Sequence, residues 1–372
     1  MQTLTEAKNP YTLQFSYIPP QFIERTFVTM EIMDNFTREV PTYRGMFITG
    51  VRGSGKTVML GDIRNKIAEQ DRWLTVDINP ESNLLDSLAR KLYLIPMVKA
   101  MFIKAKLDFS VLGIGVHLEN AELMASDEED AIEMMLRVLK KSGYKILVTI
   151  DEVTYSKGVA KLSHALSSYA GAGYDIYLLM TGLIENINNI KNKKSLTFLY
   201  RAKINKLDTL NITAIWSDYQ KTLGLDREDA EKLAYMTRGY PLAFQAVGYL
   251  YWNELCKHEK FDDINQDEVD EKLDVILAEL AYDKIWDELS QNDVKILYVM
   301  CRISSSSKTE LIKVEDIRNA INMTSDSFTT YRKRLIEAGI VDGRQYGHLK
   351  FMLPRFENYI ELKSSFNPAD IR

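Results

Sequence analysis

The sequence predicts an α/β protein with a parallel sheet, followed by a helical segment and a small module of helices and a hairpin. From about residue 40 to 205, short apolar strands alternate with amphipathic helices, which is typical of a doubly wound parallel sheet. The next stretch contains no convincing strand, and its helical periodicity predicts helices near Ile212–Leu223, Arg227–Met236, Pro241–Glu259 and Val269–Leu289. We therefore expect four parts, covering residues 1–39, 40–205, 206–289 and 290–372.

The composition restricts the class of protein. The chain has 372 residues, enough for two or three domains, and is 46% hydrophobic and 27% charged, which excludes a disordered, collagen-like or disulfide-stapled chain. No apolar run reaches the roughly 18 residues that a membrane helix needs, and no signal peptide is recognisable. The cysteines, Cys256 and Cys301, form no CxxC pair. We expect a cytoplasmic protein without membrane contact and without a cysteine-rich zinc site.

The charge is unevenly distributed along the chain. The formal net charge is −5, so the protein as a whole is not a general nucleic-acid binder. Gln291–Arg372 contains 13 basic and 10 acidic residues, a net of +3, which leaves −8 for the residues before it. If any part contacts nucleic acid, the C-terminal part is favoured, although +3 is a weak signal.

The core segment contains four clear strand patterns. Met46–Thr49 is a short apolar strand, and the helical spacing of Thr57–Gln70 follows it. Trp73–Ile78 and Ile176–Met180 are further strands. Lys145–Ile150 is continuously apolar after its first residue, as expected for a strand at the centre of a parallel sheet.

Three local features complete the prediction for secondary structure. Ser126 and Glu129 have the spacing of a capping box, which predicts the start of a helix that Gly143 ends. The alternating apolar residues of Leu107–Leu118 predict a hairpin insertion. The serine run 304–307 predicts a loop.

A glycine-rich motif lies between the first strand and its helix. Residues 50–57, GVRGSGKT, match G-x-x-x-x-G-K-[ST] in the strand-then-helix context that a P-loop requires. Glycines let backbone N–H groups surround phosphates, Lys56 neutralises the β- and γ-phosphate oxygens, and Thr57 binds Mg²⁺ through its hydroxyl. We expect ATP and Mg²⁺ as cofactors, and a binding set of Gly50, Arg52, Gly53, Ser54, Gly55, Lys56, Thr57 and Val58.

Polar residues end two of the predicted strands. Asp151 and Glu152 follow the central apolar strand, and an acidic pair that follows a P-loop by about 95 residues indicates a nucleotide hydrolase. We expect Asp151 to bind Mg²⁺ and Glu152 to deprotonate the attacking water. Thr181 is a candidate for contact with the γ-phosphate or the water, or is an ordinary strand-end hydroxyl. Without an NKxD motif, ATP is favoured over GTP.

These motifs resemble the AAA+ and STAND branch of P-loop ATPases, in particular the prokaryotic archaeal-type ATPases and more distantly the origin-recognition ATPases. The segment Thr237–Leu242, TRGYPL, looks like the GxP motif that opens a lid helix in STAND proteins. The segment Pro20–Arg25 resembles the F-V-G-R segment that borders the adenine pocket, with Glu24 where the family has glycine. The resemblance implies a P-loop ATPase core, a helical lid and a C-terminal winged helix.

The resemblance also implies roles for three residues outside the core motifs. Pro241 would kink the lid backbone against the nucleotide. Arg238 would either sense the γ-phosphate, as a lid arginine does in AAA+ proteins, or face solvent. Arg201 would act on the nucleotide of a neighbouring copy, as an arginine finger, or would form a surface salt bridge.

The C-terminal pattern of three helices and a hairpin matches a winged helix. Its third helix, Ser325–Ala338, directs Phe328, Tyr331 and Leu335 inward. The basic residues elsewhere on that helix, Arg332, Lys333 and Arg334, suit contacts with duplex DNA. The alternative is a winged helix that packs on the nucleotide domain and binds no DNA, in which case the basic residues are a solvated face.

Together these observations predict a Mg²⁺-dependent ATPase whose nucleotide state changes the position of the lid and the winged helix. One version couples that change to duplex DNA binding or to assembly, with a homo-oligomer forming on ATP binding. The other is a STAND-type signalling or defence switch whose winged helix gates nucleotide exchange and whose effector is a separate protein. Both versions assign the same catalytic residues, namely Lys56, Glu152, Thr181 and Arg201.

Overall fold

The structure is a computed structural model that describes most of the chain. Among the residues that it describes, no helix is both long enough and apolar enough to cross a bilayer. Most of the predicted hairpin over Leu107–Leu118 lies outside the described residues. The described ranges are 8–14, 18–110, 113, 123–258 and 260–366.

The chain divides into two compact units, and each is assembled from separate stretches of sequence. The loop Gly50–Gly55 belongs to the first unit, whereas the strand before it and the helix after it belong to the second. Unit 1 comprises Met1–Glu24, Gly50–Gly55 and Asp208–Arg372, and unit 2 comprises Arg25–Thr49 and Lys56–Leu207.

Unit 2 is built on a five-stranded parallel sheet. Unit 2 has seven strands, of which five form this sheet: β1 (Gly45–Thr49), β2 (Trp73–Ile78), β3 (Leu107–Asp108), β4 (Leu123–Met124), β5 (Lys145–Ile150), β6 (Ile176–Gly182) and β7 (Lys203–Lys206) among the described residues. The order across the sheet is β2-β5-β6-β1-β7, while β3 and β4 form a separate parallel pair. Since β6 lies between β1 and β5, the ends of these three strands are adjacent at one edge. The predicted parallel α/β core is confirmed.

Helices cover both faces of this sheet. One apolar core joins the sheet to α3 (Leu84–Leu94), α5 (Glu128–Lys141) and α6 (Lys157–Gly171). The other joins it to α1 (Thr26–Thr37) and α2 (Lys56–Ala68). Strands β5 and β6 are buried along almost their whole length because both of their faces are covered, which explains their continuous apolar sequence. The helices of unit 2 are α1 (Thr26–Thr37), α2 (Lys56–Ala68), α3 (Leu84–Leu94), α4 (Pro96–Lys104), α5 (Glu128–Lys141), α6 (Lys157–Gly171), α7 (Ile184–Lys191) and α8 (Thr197–Tyr200).

The start of α5 differs from the predicted capping box. The side chain of Asp127, not Ser126, accepts the N-cap hydrogen bond, from the backbone N–H of Asp130 at 2.9 Å. Ser126 instead donates its own N–H to the Asp130 carboxylate at 2.9 Å. The prediction was wrong by one position because a serine and an aspartate stand side by side and either suits an N-cap. Gly143, with φ +73°, follows the end of the helix as expected.

The first half of unit 1 is a helical bundle. Predicted helices over Ile212–Leu223 and Arg227–Met236 are confirmed, and Asn211 and Asp226 provide their N-caps. Pro241 starts the third helix at a position where its missing N–H costs nothing. The helices are α9 (Ile212–Leu223), α10 (Arg227–Met236), α11 (Pro241–Leu255), α12 (Gln266–Leu277) and α13 (Asp283–Asp287), with a π-helical turn, Ala278–Tyr282, between the last two.

The N-terminal residues that the structure describes pack on this bundle. Tyr11 is buried against Tyr219 and Phe244, and its hydroxyl donates to Asp218 at 2.6 Å. Thr12 donates its backbone N–H to Gln245 at 3.0 Å. Residues far apart in sequence therefore complete one core in unit 1.

The second half of unit 1 is winged-helix-like. The helices α14 (Gln291–Ser307), α15 (Val314–Ala320) and α16 (Ser325–Glu337) are followed by α17 (Phe356–Phe366). A small antiparallel sheet has the order β8 (Ile312–Lys313), β10 (His348–Phe351), β9 (Val341–Asp342). The predicted loop over residues 304–307 is wrong, because α14 continues through it. Serine hydroxyls there bond back to the helix, as Ser307 does to the Ile303 carbonyl at 2.6 Å.

Candidate nucleotide-binding site

The glycine loop forms a compact turn in unit 1. Ser54 donates its N–H to the Val51 carbonyl at 3.2 Å, which closes the turn. Gly53 has φ +71° and Gly55 has φ +84°, values that glycine adopts without the strain of a Cβ atom. Alternation of left-handed and right-handed residues directs successive N–H groups to one side, which makes an anion-binding concavity.

The start of α11 bonds directly to this loop. The Tyr240 hydroxyl donates to the Arg52 carbonyl at 2.5 Å, and the Leu242 N–H donates to the Gly53 carbonyl at 3.2 Å. A Cβ atom added to Gly53 would lie 2.1 Å from the Tyr240 hydroxyl oxygen, so only glycine fits there. Burial raises the pKa of Tyr240 far above its usual value, so its hydroxyl remains a proton donor.

Glu288, at the end of the helical bundle, and Gly339, in the winged-helix-like half of unit 1, also lie against the loop. The Arg52 guanidinium pairs with Glu288, with Nη2 to Oε1 at 2.5 Å and Nε to Oε1 at 3.1 Å. Val51 lies beside Gly339, the second residue after α16, where a Cβ in place of the glycine hydrogen would be 3.4 Å from the Val51 Cβ. The sequence predicts Arg52 as a phosphate ligand, whereas the structure places its side chain on a carboxylate.

The remaining residues of the glycine-rich motif begin α2 in unit 2. Lys56 is the first residue of that helix and is buried, and Thr57 and Val58 are half-buried. The Thr57 hydroxyl donates to Asp151 Oδ2 at 2.8 Å. The structure therefore brings together the two residues that the sequence predicts as metal ligands.

Asp151 is the centre of a hydrogen-bonded cluster. Its Oδ1 accepts from the Thr181 hydroxyl and from the Glu152 N–H, the latter at 3.1 Å. Thr181 is fully buried at the end of β6, and its hydroxyl oxygen accepts from the Glu152 N–H at 2.9 Å. Thr181 thus contacts the predicted acidic pair through its hydroxyl.

Glu152 has a strained backbone conformation. Its φ of +53° lies in the left-handed region that glutamate seldom occupies. Hydrogen bonds from the Glu152 N–H to Thr181 and Asp151 hold this conformation, and the Val153 N–H bonds to the Thr181 carbonyl at 2.8 Å. The Glu152 residue is exposed. Strain of this kind concentrates at functional sites, where it fixes the direction of a side chain.

The cluster has the chemistry that a magnesium ion requires. Mg²⁺ prefers oxygen ligands and is commonly bound by one or two protein groups together with substrate phosphates and water. Thr57 supplies a hydroxyl oxygen, and Asp151 supplies a carboxylate that accepts the hydrogen bond from that hydroxyl. Among the described residues, no group of three His, Cys, Asp or Glu side chains is arranged to hold a metal alone. A magnesium ion here would therefore depend on bound phosphate.

The two arginines that the resemblance singled out lie in different environments. Arg238 makes a bidentate pair with Glu357 of α17, at 3.0 and 3.2 Å, and donates to the Leu353 carbonyl at 3.0 Å. Its guanidinium is therefore bonded within unit 1 rather than facing solvent. Arg201 is exposed after the last residue of α8.

The three basic residues of α16 are not equivalent. Arg334 is bonded to the N-cap of α14, since it pairs with the buried Asp293 and donates to Ser290 at 2.5 Å. Arg332 donates to the Gly343 carbonyl at 3.3 Å. The Lys333 side chain is 73% exposed, and its ammonium lies 3.8 Å from Glu337. Of the three, Lys333 alone presents its charge mainly to solvent.

Comparison with solved structures identifies the fold. The structure of the Aeropyrum pernix ORC2 protein in ADPNP–ADP complexes is similar with a TM-score of 0.57 at 12% sequence identity, over 95% of this chain and 98% of that one. The fold is that of an origin-recognition AAA+ ATPase. Cdc6p from Pyrobaculum aerophilum matches with a TM-score of 0.46 at 14% identity, over 96% of this chain and 98% of that one.

Sequence comparison adds less than the fold does. Residues 279–360 match a family described as a domain of unknown function, DUF8462, which spans the winged-helix-like part of the chain. No protein with curated annotation matches the sequence. The origin-recognition AAA+ fold therefore rests on structure, with the glycine-rich motif and the Asp151 cluster as its recognisable sequence features.

Sequence reasoning missed two residues that contact the glycine loop. Tyr240 lies inside the TRGYPL segment that was compared with the GxP motif, but the motif assigns no role to its x position. Glu288 carries no sequence signal, because an acidic residue near a helix end is common on surfaces. Both contacts join residues more than 180 positions apart, so periodicity could not have revealed them.

The Asp151 cluster predicts a specific metal dependence. We expect Asp151→Asn to remove the Mg²⁺ dependence of nucleotide affinity, because an amide carries no negative charge to hold the cation. Isothermal titration with ADP, with and without Mg²⁺, measures this. Thr181→Val is the matched control, since it removes the other hydroxyl on Asp151 but no predicted metal ligand. Equal Mg²⁺ dependence in the wild type and Asp151→Asn would contradict the assignment.

Proposed function

We propose that the protein binds and hydrolyses Mg²⁺–ATP and that its nucleotide state is coupled to the winged-helix-like part. The observation that carries this proposal is the cluster of Thr57, Thr181 and Glu152 around the Asp151 carboxylate. Support for ATP comes from the absence of an NKxD motif and from the similar ORC2 protein, whose structure contains ADPNP–ADP complexes. We propose residues 40–205 as the ATPase core, 206–289 as the lid and 290–372 as the winged helix.

Hydrolysis requires a positioned water and neutralised phosphate charge. Glu152 acts as the general base that takes a proton from the water, and its strained backbone fixes the direction of that carboxylate. Lys56 neutralises charge on the phosphate oxygens as the bond to the leaving ADP breaks. Thr181 orients Asp151 and Glu152 through its hydroxyl. Mg²⁺, bound through Thr57 and Asp151, supplies charge stabilisation for the phosphates.

Two contacts support a connection between the glycine loop and the winged helix. Arg52 pairs with Glu288, two residues before the Ser290 N-cap of α14, and Val51 packs beside Gly339 at the end of α16. A phosphate that attracts the Arg52 guanidinium competes with Glu288 for it. The state of the loop is thereby transmitted to the two helices that frame the module.

A second candidate function is favoured by the position of Arg334. In this version the winged helix gates nucleotide exchange and binds no DNA, and a separate effector protein responds to the switch. The Asp293 pair occupies the Arg334 guanidinium, and Arg332 bonds to the hairpin, so two of three predicted DNA-binding residues serve the fold.

We assign Arg201, exposed after α8, to the nucleotide of a neighbouring copy in an ATP-dependent homo-oligomer.

The ATPase proposal is tested by phosphate release. We expect Glu152→Gln to lower kcat at least about 100-fold while ATP still binds, because general-base catalysis contributes about 10²–10⁴-fold. Lys56→Ala should weaken ATP binding itself. Glu185→Gln, another acidic residue of unit 2, on α7, is the matched control. Turnover that survives Glu152→Gln at the wild-type rate would refute the assigned base.

A salt-dependent gel shift separates the two versions of the function. If the winged helix binds duplex DNA, Lys333→Ala weakens binding and reduces the slope of log affinity against log salt by about one. Arg334→Ala is an unsuitable test of contact, because loss of the Asp293 pair costs on the order of 1–3 kcal/mol of stability. Absence of binding at low salt, with ATP or with ADP, would leave the gating version.

A further inference from the structure

The lid reaches the glycine loop by binding its backbone carbonyls rather than its side chains. Tyr240 is the N-cap residue of α11, and Leu242 lies in the first turn, where helix N–H groups have no intrahelical acceptor. The Tyr240 hydroxyl and the Leu242 N–H donate to two consecutive carbonyls of the loop, those of Arg52 and Gly53 respectively. A single helix start therefore determines the orientation of two adjacent peptide planes in the loop.

The orientation of these planes decides where the loop N–H groups point. In a trans peptide, the carbonyl of one residue and the N–H of the next are directed oppositely, and the described residues contain no cis peptide. The bond to the Arg52 carbonyl therefore turns the Gly53 N–H away from the lid. The bond to the Gly53 carbonyl turns the Ser54 N–H the same way, toward Val51. The Ser54 N–H donates to the Val51 carbonyl and so closes the turn, whereas the Gly53 N–H is a group of the kind that holds a phosphate oxygen.

We infer that Tyr240 is a positioning residue for nucleotide phosphates, because its hydroxyl fixes the Arg52–Gly53 peptide in the orientation that presents the Gly53 N–H to a diphosphate or triphosphate. The inference rests on the proposed function and adds a residue that acts without touching the nucleotide. A loop that is already ordered loses less conformational entropy when it binds, so affinity rises. The Tyr240 hydroxyl occupies the space that a Cβ atom at position 53 would need, so the glycine and the tyrosine depend on each other.

A neighbouring tyrosine provides a matched control. Tyr282 is fully buried and its ring stacks with Tyr240, with centroids 6.4 Å apart. Its hydroxyl also donates to a backbone carbonyl at 2.5 Å, but the acceptor is Pro354, outside the glycine loop. Tyr282→Phe removes the same chemical group from the same aromatic stack, so it reproduces any general loss of packing or stability.

The experiment is isothermal titration of ADP with Mg²⁺ into the wild type, Tyr240→Phe, Tyr282→Phe and Lys56→Ala. We expect Tyr240→Phe to raise the Kd about ten-fold, the effect of one lost hydrogen bond to a buried carbonyl. Tyr282→Phe should change the Kd by less than about two-fold. In ATP hydrolysis, the effect of Tyr240→Phe should appear in KM rather than in kcat, because the hydroxyl orders the binding loop and not the reacting water.

The controls distinguish failure of the inference about Tyr240 from failure of the proposed function. Equal weakening in Tyr240→Phe and Tyr282→Phe would overturn the inference, and so would a Kd for Tyr240→Phe at or below the wild-type value. If Lys56→Ala weakens ADP binding in that same experiment, the proposed function stands and only the role of Tyr240 is lost. If the wild type does not bind Mg²⁺–ADP, or Lys56→Ala binds equally well, the proposed function fails as well.

A measurement on the wild type covers the case in which Tyr240→Phe does not fold. Hydrogen exchange of peptides that span residues 50–56 and 237–245 is followed with and without Mg²⁺–ADP. The inference predicts that the amides of both segments keep or gain protection when ADP binds, since the lid contact and the phosphate contact use opposite sides of the same peptides. Loss of protection in 237–245 would mean that binding separates the lid from the loop, and would overturn the inference.

Discussion

The carboxylate of Asp151 is the group on which the chemistry of unit 2 depends. It accepts hydrogen bonds from Thr57 at the start of α2, from Thr181 at the end of β6 and from the backbone of Glu152. These residues meet because β6 lies between β1 and β5, so that the ends of three adjacent strands share one edge. The sheet order therefore brings the Thr57 and Thr181 hydroxyls and the Asp151 carboxylate together beside Glu152.

In unit 1, the corresponding constraint is the attachment of the glycine loop to the C-terminal elements. Tyr240 and Leu242 hold loop carbonyls, Glu288 holds the Arg52 side chain, and Gly339 lies against Val51. A loop held at its backbone is ordered before phosphate arrives, whereas a loop held by an ion pair is open to competition from phosphate. Under the proposed function, the first kind of contact favours binding, and the second would couple binding to a change at the winged-helix-like part.

The fold could be predicted from sequence because its signals are local. Continuous apolar strands, helical spacing and the GVRGSGKT motif each lie within about 15 residues, and several helix bounds in the bundle were matched to the residue. The contacts of Tyr240 and Glu288 were missed because they join distant segments through one hydroxyl and one carboxylate. The bonds that Arg334 and Ser307 make within unit 1 were not predicted, because polarity alone does not distinguish a solvated face from a side chain that bonds within the fold.

The central claim is that Thr57 and Asp151 hold a divalent cation together with nucleotide phosphates. Crystals grown with ADP and Mn²⁺, which replaces Mg²⁺ and scatters anomalously, test it most directly. The account predicts one anomalous peak at coordination distance from the Thr57 hydroxyl, next to the Asp151 carboxylate and in contact with the β-phosphate. A nucleotide bound with no peak at Thr57, or with the metal on other residues, would contradict the account.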